Sequence, residues 1–241
     1  MKVEMLNGGW ISSSAAIWRQ GEDQQAQIRF PIPAYLIETD TERILVDTGL
    51  HPQAARDVAG HYGPQAAIMQ LEQEQDVASQ IDASSLTKIV LTHLHFDHAG
   101  GLALLPPSIP IVVQRREWAG GQDEATVRRN FFYPRDYALE DRRIELVDGD
   151  HDLLGDGSIQ LLLTPGHTPG HQSVRLGDVV LGVDVAHFAA TLDDLRFPSF
   201  ADDFEAQASS AVRLRAMRDD GLTVIPGHDP DVLRPGPIAL G

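Results

Sequence analysis

The chain has 241 residues, 42% of them hydrophobic and 22% charged, and no run of about 18 apolar residues that could span a bilayer. Cys is absent, which excludes disulfides, thiolate metal sites and a cysteine nucleophile. Thirty-five acidic against 19 basic residues give a formal charge of −16, a field that repels phosphate backbones and argues against nucleic acid as a partner.

The opening Met1 to Ser14 carries one Lys and no apolar stretch of signal-peptide type, so a cytoplasmic protein without a membrane partner is expected. Short β-rich runs follow in order: Ala34 to Glu38, Arg43 to Asp47, Lys88 to Thr92, Pro110 to Val113, Ser158 to Leu163, Asp178 to Gly182 and Leu222 to Ile225. Between them the pattern predicts helices over Gln65 to Gln80 and Asp203 to Arg218. Phe204, Ala208, Ala211, Val212, Leu214 and Met217 form the apolar side of the second. No linker, repeat or low-complexity tract divides the chain, so residues 1–241 read as a single domain. Interleaved strands and helices place helices outside the sheets, and periodicity alone does not choose between one doubly wound sheet and two packed sheets.

Chemistry concentrates where these strands end. His93-Leu94-His95-Phe96-Asp97-His98 places three imidazoles and a carboxylate in six residues directly after the strand ending at Thr92. Such donors suit Zn²⁺ and other borderline divalent cations, and a loop can aim neighbouring side chains where a strand would split them between faces. His167, Asp184 and His228 likewise follow predicted strands, in Pro165-Gly166-His167, Gly182-Val183-Asp184 and Pro226-Gly227-His228. Together they offer five His and two Asp, enough for two divalent metal ions with coordination positions left open. His51, His61 and His151 lie in polar, turn-rich surroundings and read as solvated.

The order H-x-H-x-D-H, G-H, Asp, G-H resembles the metallo-β-lactamase superfamily, and within it the N-acyl homoserine lactone lactonases. The stretches carrying the resemblance are Ile44 to Gly49, Leu91 to Gly101, Thr164 to Ser173 and Gly227 to Asp229. It implies an αββα sandwich of two mixed β-sheets with helices on the outer faces. It also implies one metal on His93, His95 and His167, a second on Asp97, His98 and His228, and Asp184 bridging both. Attack by a hydroxide held between the metals would then open a lactone ring, with a small-molecule lactone or ester as the partner and zinc as the expected cofactor. A homodimer is compatible with the resemblance. Asp47 is expected to order the metal-bearing loop, and His171 to form a hydrogen bond rather than act as a ligand.

Asp97 and His187 are the catalytic candidates. His187 stands where the lactonases commonly carry a Tyr that contacts the substrate carbonyl, and an imidazole N–H can donate as a phenol does; the alternative is a His that packs beside the donors without touching substrate. A glyoxalase II-like thioesterase or another esterase is the alternative, although only Asp229 to Gly241 follow His228, too short for a helical glutathione-binding extension. The complete donor set disfavours a mononuclear-iron dioxygenase or a catalytically silent regulator. Residues Asn7 to Trp18, Phe30 to Tyr35 and Asn130 to Pro134 are candidates for an acyl-chain groove, and equally for core or dimer contact.

Overall fold

A computed structural model describes residues 1–240. Its thirteen strands are β1 (Lys2–Ser14), β2 (Gln27–Glu38), β3 (Arg43–Val46), β4 (Gln70–Glu72), β5 (Lys88–Val90), β6 (Ile111–Gln114), β7 (Ile144–Val147), β8 (His151–Asp152), β9 (Ile159–Leu163), β10 (Gln172–Leu176), β11 (Val179–Val183), β12 (Thr223–Pro226) and β13 (Gly236–Ile238). One sheet runs β13-β1-β2-β3-β5-β6-β7 with β4 also on β1, and the other runs β12-β11-β10-β9-β8. Both are mixed. The steps from β3 through β5 and β6 to β7 are parallel, as is β11 with β12.

Alternation along the strands builds the layers. Tyr35, Ile37, Val90 and Val112 face Ile159, Leu161, Val174 and Leu181 across the space between the sheets. Their neighbours Leu36, Ile89, Leu91, Ile111 and Val113 point the other way, onto a layer with Leu94, Leu102, Phe132 and Tyr137. Val180 and Leu162 on the far side of the second sheet pack on Ala211 and Leu214 of the helix Phe204–Asp219. The result is the expected αββα sandwich, and each such fully buried Leu, Ile or Val contributes roughly 1.5–3 kcal/mol.

Two expectations are corrected. Gln65 to Gln80 is not a helix: it forms a 3₁₀ turn at Pro64–Ile68, strand β4, and a second 3₁₀ turn at Val77–Gln80. Leu71 is buried between exposed Gln70 and Glu72, so pairing with β1 overrides the helix propensity of the surrounding Ala, Gln and Glu residues. The helix Phe204–Asp219 exists, but its inward stripe is Gln207, Ser210, Ala211 and Leu214, while Phe204 and Val212 are exposed. No helix among the described residues is long and apolar enough to cross a membrane.

Candidate metal centre

All seven expected donors leave the C-terminal ends of strands and meet at one edge of the sandwich. After β5, Thr92 and His93 lead into a short helix, Phe96–Ala99, that carries Asp97 and His98. His167 follows β9, Asp184 follows β11 and His228 follows β12. Val183 adopts φ +50°, strained for a β-branched residue, where the pairing of β11 with β12 shifts register; this kink re-aims Asp184. Gly166 has φ +127°, and a Cβ there would lie 2.0 Å from the Gln207 nitrogen, so only glycine lets the His167 loop rest on the helix Phe204–Asp219.

The seven expected donors form two sets, and His187 stands close enough to Asp184 and His228 to complete a further grouping. In the first, His95 Nδ1 lies 3.0 Å from His93 Nε2 and 2.9 Å from His167 Nε2, while Asp184 Oδ2 lies 3.7 and 3.3 Å from the latter two. In the second, His98 Nε2 is 3.6 Å from Asp97 Oδ2 and 3.5 Å from Asp184 Oδ1, and His228 Nε2 is 3.5 and 3.1 Å from the same two atoms. A tetrahedral zinc with bonds of about 2.0–2.1 Å has ligand–ligand edges of about 3.3 Å, and the distances given in both sets are of that size. Each oxygen of Asp184 serves one set.

Outer partners assign the tautomers. His95 Nε2 is 2.8 Å from the Asn130 carbonyl and His228 Nδ1 is 2.9 Å from the Pro31 carbonyl; carbonyls only accept, so those nitrogens carry the protons. His98 Nδ1 donates to Asp47 Oδ2 at 2.8 Å. Thr92 Oγ1 donates to Asp47 Oδ2 and therefore accepts from His93 Nδ1 at 3.0 Å. His93 Nε2 and His95 Nδ1 thus present lone pairs to each other at 3.0 Å, an arrangement that repels unless a cation stands between them. His98 Nε2, His228 Nε2 and Asp184 Oδ1 are buried without any hydrogen-bond partner. The residues present fit two divalent cations.

Electrostatics agree. Burial pushes the His95 and His167 imidazoles down to about 3 and His93 well below its ordinary range, which keeps them neutral and able to donate lone pairs. For His98, burial works downward, but Asp184, Asp97 and Asp47 together lift it well above the ordinary range: the carboxylates call for positive charge at this place. Burial alone would raise Asp184, yet His187, His228 and His98 hold it well below the usual carboxylate range.

Surrounding residues fix these positions. Asp47, itself at φ +59°, accepts from the Thr92 N–H at 2.8 Å, the Thr92 hydroxyl at 2.7 Å and His98. His171 accepts the Asp184 N–H through Nε2 at 3.2 Å and contacts Thr164 Oγ1 through Nδ1, a hydrogen-bonding place next to the bridging carboxylate. His187 is 1% exposed, with Nε2 3.2 Å from Asp184 Oδ2 and its ring against Trp18 and His228. His151 is exposed, but His51 and His61 are not free in solvent: their rings stack 4.6 Å apart, and the His61 side chain is buried 3.9 Å from Asp136.

A cleft of about 300 Å³ opens over the donors His95, Asp97, His167 and Asp184. Of the expected groove residues, Ile17, Trp18, Phe131 and Tyr133 line it, whereas Phe30 and Tyr35 are fully buried in the cores below. The sequence reading missed Gln65, Ile68, Met69, Ser199 and Phe200, which the irregular path after Pro64 and the loop before residue 204 bring to the wall. It also missed Glu117, a fully buried carboxylate touching two donor loops. Burial pushes the Glu117 carboxyl up to about 7, against hydrogen bonds from Gly170 and Leu94 that pull it down. Nothing distinguishes it in sequence from an ordinary charge on a helix.

Two mixed sheets flanked by helices, with His and Asp donors gathered at one sheet edge, define a member of the metallo-β-lactamase superfamily, and the chain belongs to that superfamily: its family model matches residues 28–228. The chain is 32% identical over 217 residues to the N-acyl homoserine lactonase AiiA of Bacillus thuringiensis subsp. kurstaki, covering 84% of this chain and 82% of that one. It is 28% identical over 248 residues to the N-acyl homoserine lactonase AttM of Azorhizobium caulinodans, covering 96% and 94%. Among solved structures, an N-acyl homoserine lactone hydrolase with its product N-hexanoyl-L-homoserine bound at the catalytic metal centre superposes with a TM-score of 0.83 at 25% identity, over 95% of this chain and 94% of that one.

Proposed function

We propose that the chain is a dinuclear metal-dependent lactonase, with zinc as its cation, that opens the ring of N-acyl homoserine lactones or related small lactones, and that residues 1–241 form one domain around this centre. The carrying observation is Asp184 between two His clusters, Oδ2 beside His93 and His167 and Oδ1 beside His98 and His228, beneath a cleft walled largely by Ile17, Trp18, Ile68, Met69, Phe131 and Phe200. The lactonase relatives support the substrate class. In this reading His93, His95 and His167 hold one cation, Asp97, His98 and His228 the other, and Asp184 both. When bound, two divalent cations bring the pKa of a coordinated water toward neutrality and polarise an ester carbonyl.

The chain's own groups do the rest. Asp97 belongs to the second donor set and also faces the cleft, so it is placed to take a proton from the attacking water and return it to the ring oxygen as the C–O bond breaks. His187 Nε2 lies 3.2 Å from Asp184 Oδ2 and has no hydrogen-bond partner, so it is placed to donate to a substrate oxygen at the centre. The apolar walls favour a neutral acyl chain and exclude water around the scissile bond. No Lys or Arg lines the cleft, so the carboxylates of a glutathione thioester would find no counter-charge, which weighs against the thioesterase alternative. In a cell, this activity would quench acyl-homoserine-lactone signals.

The test is a substrate panel of N-acyl homoserine lactones, γ- and δ-lactones, aryl esters and S-lactoylglutathione, with metal content measured on the same sample. The expected result is fastest turnover of the acyl lactones at about two equivalents of metal. Preference for the glutathione thioester, or no lactone turnover by the metal-loaded protein, overturns the reading.

A further inference from the structure

The sandwich raises a mechanical problem at the first donor set. His93 and His95 leave β5 in one sheet, whereas His167 leaves β9 in the other, yet His95 Nδ1 and His167 Nε2 must stay 2.9 Å apart. At the base of the two loops a backbone bond joins them, Gln172 N–H to Thr92 C=O at 3.0 Å. Nearer the donors a side chain does so. Glu117, in the first turn of the helix Arg115–Gln122 that follows β6, accepts the Leu94 N–H on Oε1 at 3.0 Å and the Gly170 N–H on Oε2 at 2.7 Å.

Leu94 lies between His93 and His95, so holding its amide fixes the peptide from which both imidazoles project. Gly170 lies three residues past His167, and a Cβ there would stand 2.3 Å from the Glu117 nitrogen: the loop carries glycine where it must approach the helix this closely. A fully buried carboxylate is costly unless its oxygens are satisfied, and here each oxygen has its own backbone donor. An amide of the same shape has only one acceptor and would set its NH₂ against one of the two N–H groups.

We propose that Glu117 is the positioning residue of the first cation site, clamping the His93–His95 loop and the His167 loop in register, as Asp47 braces the second site through His98. This rests on the two-cation reading of the centre. It assigns Glu117 no contact with substrate or metal.

The test is stepwise titration of chelator-stripped protein with Co²⁺ or Zn²⁺ against a competing indicator, with Co²⁺ visible bands recorded at each step. For Glu117→Gln one binding step should weaken by about 10–100-fold, the usual effect of outer partners on metal affinity, and the other should stay at the wild-type value. The loss should persist in a His228→Ala background and vanish in a His95→Ala background, where the first site is already broken. Leu176→Ala, which removes a fully buried side chain at the end of β10 away from the donors, should lower the melting temperature and leave both steps in place. If Glu117→Gln does not fold, Glu117→Asp keeps the charge but reaches only one amide, and is read the same way. Two wild-type steps in a folded Glu117 variant, or equal weakening of both, overturn the assignment while leaving the lactonase reading intact. A wild-type protein that binds no cation overturns both.

Discussion

Asp47→Asn is the sharpest perturbation of the second donor set, because it preserves shape and changes only what the side chain can accept. Asp47 is 1% exposed and takes three hydrogen bonds: Oδ1 from the Thr92 N–H, and Oδ2 from the Thr92 hydroxyl and His98 Nδ1. Asparagine has one acceptor oxygen. If that oxygen takes the Oδ2 place, the amide NH₂ faces the Thr92 N–H and strands a buried donor. If it takes the Oδ1 place, the NH₂ faces His98, which must move its proton to Nε2, the nitrogen that points at Asp97 and Asp184. Either way a buried polar group is left without its partner, at about 1–3 kcal/mol. At roughly 2–4 °C per kcal/mol for a chain of this size, the metal-free protein should melt about 2–12 °C lower. The second route also removes a lone pair from His98 and turns the Thr92 hydroxyl, the acceptor for His93 Nδ1, away from the Oδ2 place, so metal binding should weaken by about 10–100-fold in at least one step. Calorimetric melts and the stepwise titration measure the two effects separately. A variant with unchanged melting and both wild-type steps would refute the tautomer assignment from which the paired donor sets were argued.

Prolonged chelation should abolish lactone turnover, and Zn²⁺ or Co²⁺ should restore it; each cation present at 100 times its dissociation constant should add about 2.7 kcal/mol of stability, so equal melting with and without metal would show that the donors do not bind as sets. Asp97→Asn should cut kcat by roughly 10²-fold or more, whereas His187→Ala should keep both cations and lose about 10–100-fold; loss of a metal from His187→Ala would move it into the ligand set. Burial lifts the Asp136 carboxyl from its ordinary 3.8 to about 7. The folded state therefore keeps a proton that the unfolded chain gives up near pH 4, and the stability this provides is complete below pH 4 and lost as pH rises to 7. Asp136→Asn has no such loss, so its melting temperature relative to wild type should climb between pH 5 and 8, and parallel curves would contradict the shift.

The convergence of these His and Asp side chains was legible because their residue types are those that coordination demands, and because each follows a β-rich run that fixes its place at a strand end. His93 to His98 and His228 could be read almost without reference to packing. β1 was legible too, with Val3 and Met5 alternating with Lys2 and Glu4, although the sequence reading passed over it. What could not be read depended on partners distant in sequence. The segment Gln65 to Gln80 has helix-favouring composition, and only the edge of β1 turns part of it into β4, freeing Met69 and Ile68 to wall the cleft. Glu117 looks like any charge in Arg-Arg-Glu-Trp until two loops from different sheets bring their amides to it. Phe204 and Val212 shared a predicted apolar side with Ala211 and Leu214, but the buried stripe includes Gln207 instead, whose amide donates to the Asp184 carbonyl.

The spread of the donors along the chain has a consequence for biosynthesis. A nascent polypeptide that has emerged only as far as residue 200 already carries every donor of the first set, together with the Glu117 helix and β9. The second set still lacks His228, and β12, the strand that delivers it, has yet to pair alongside β11. Translation order therefore delivers the side chains of the two sets at different times, and even the first set still awaits the helix Phe204–Asp219, on which the His167 loop rests and whose Gln207 donates to the Asp184 carbonyl.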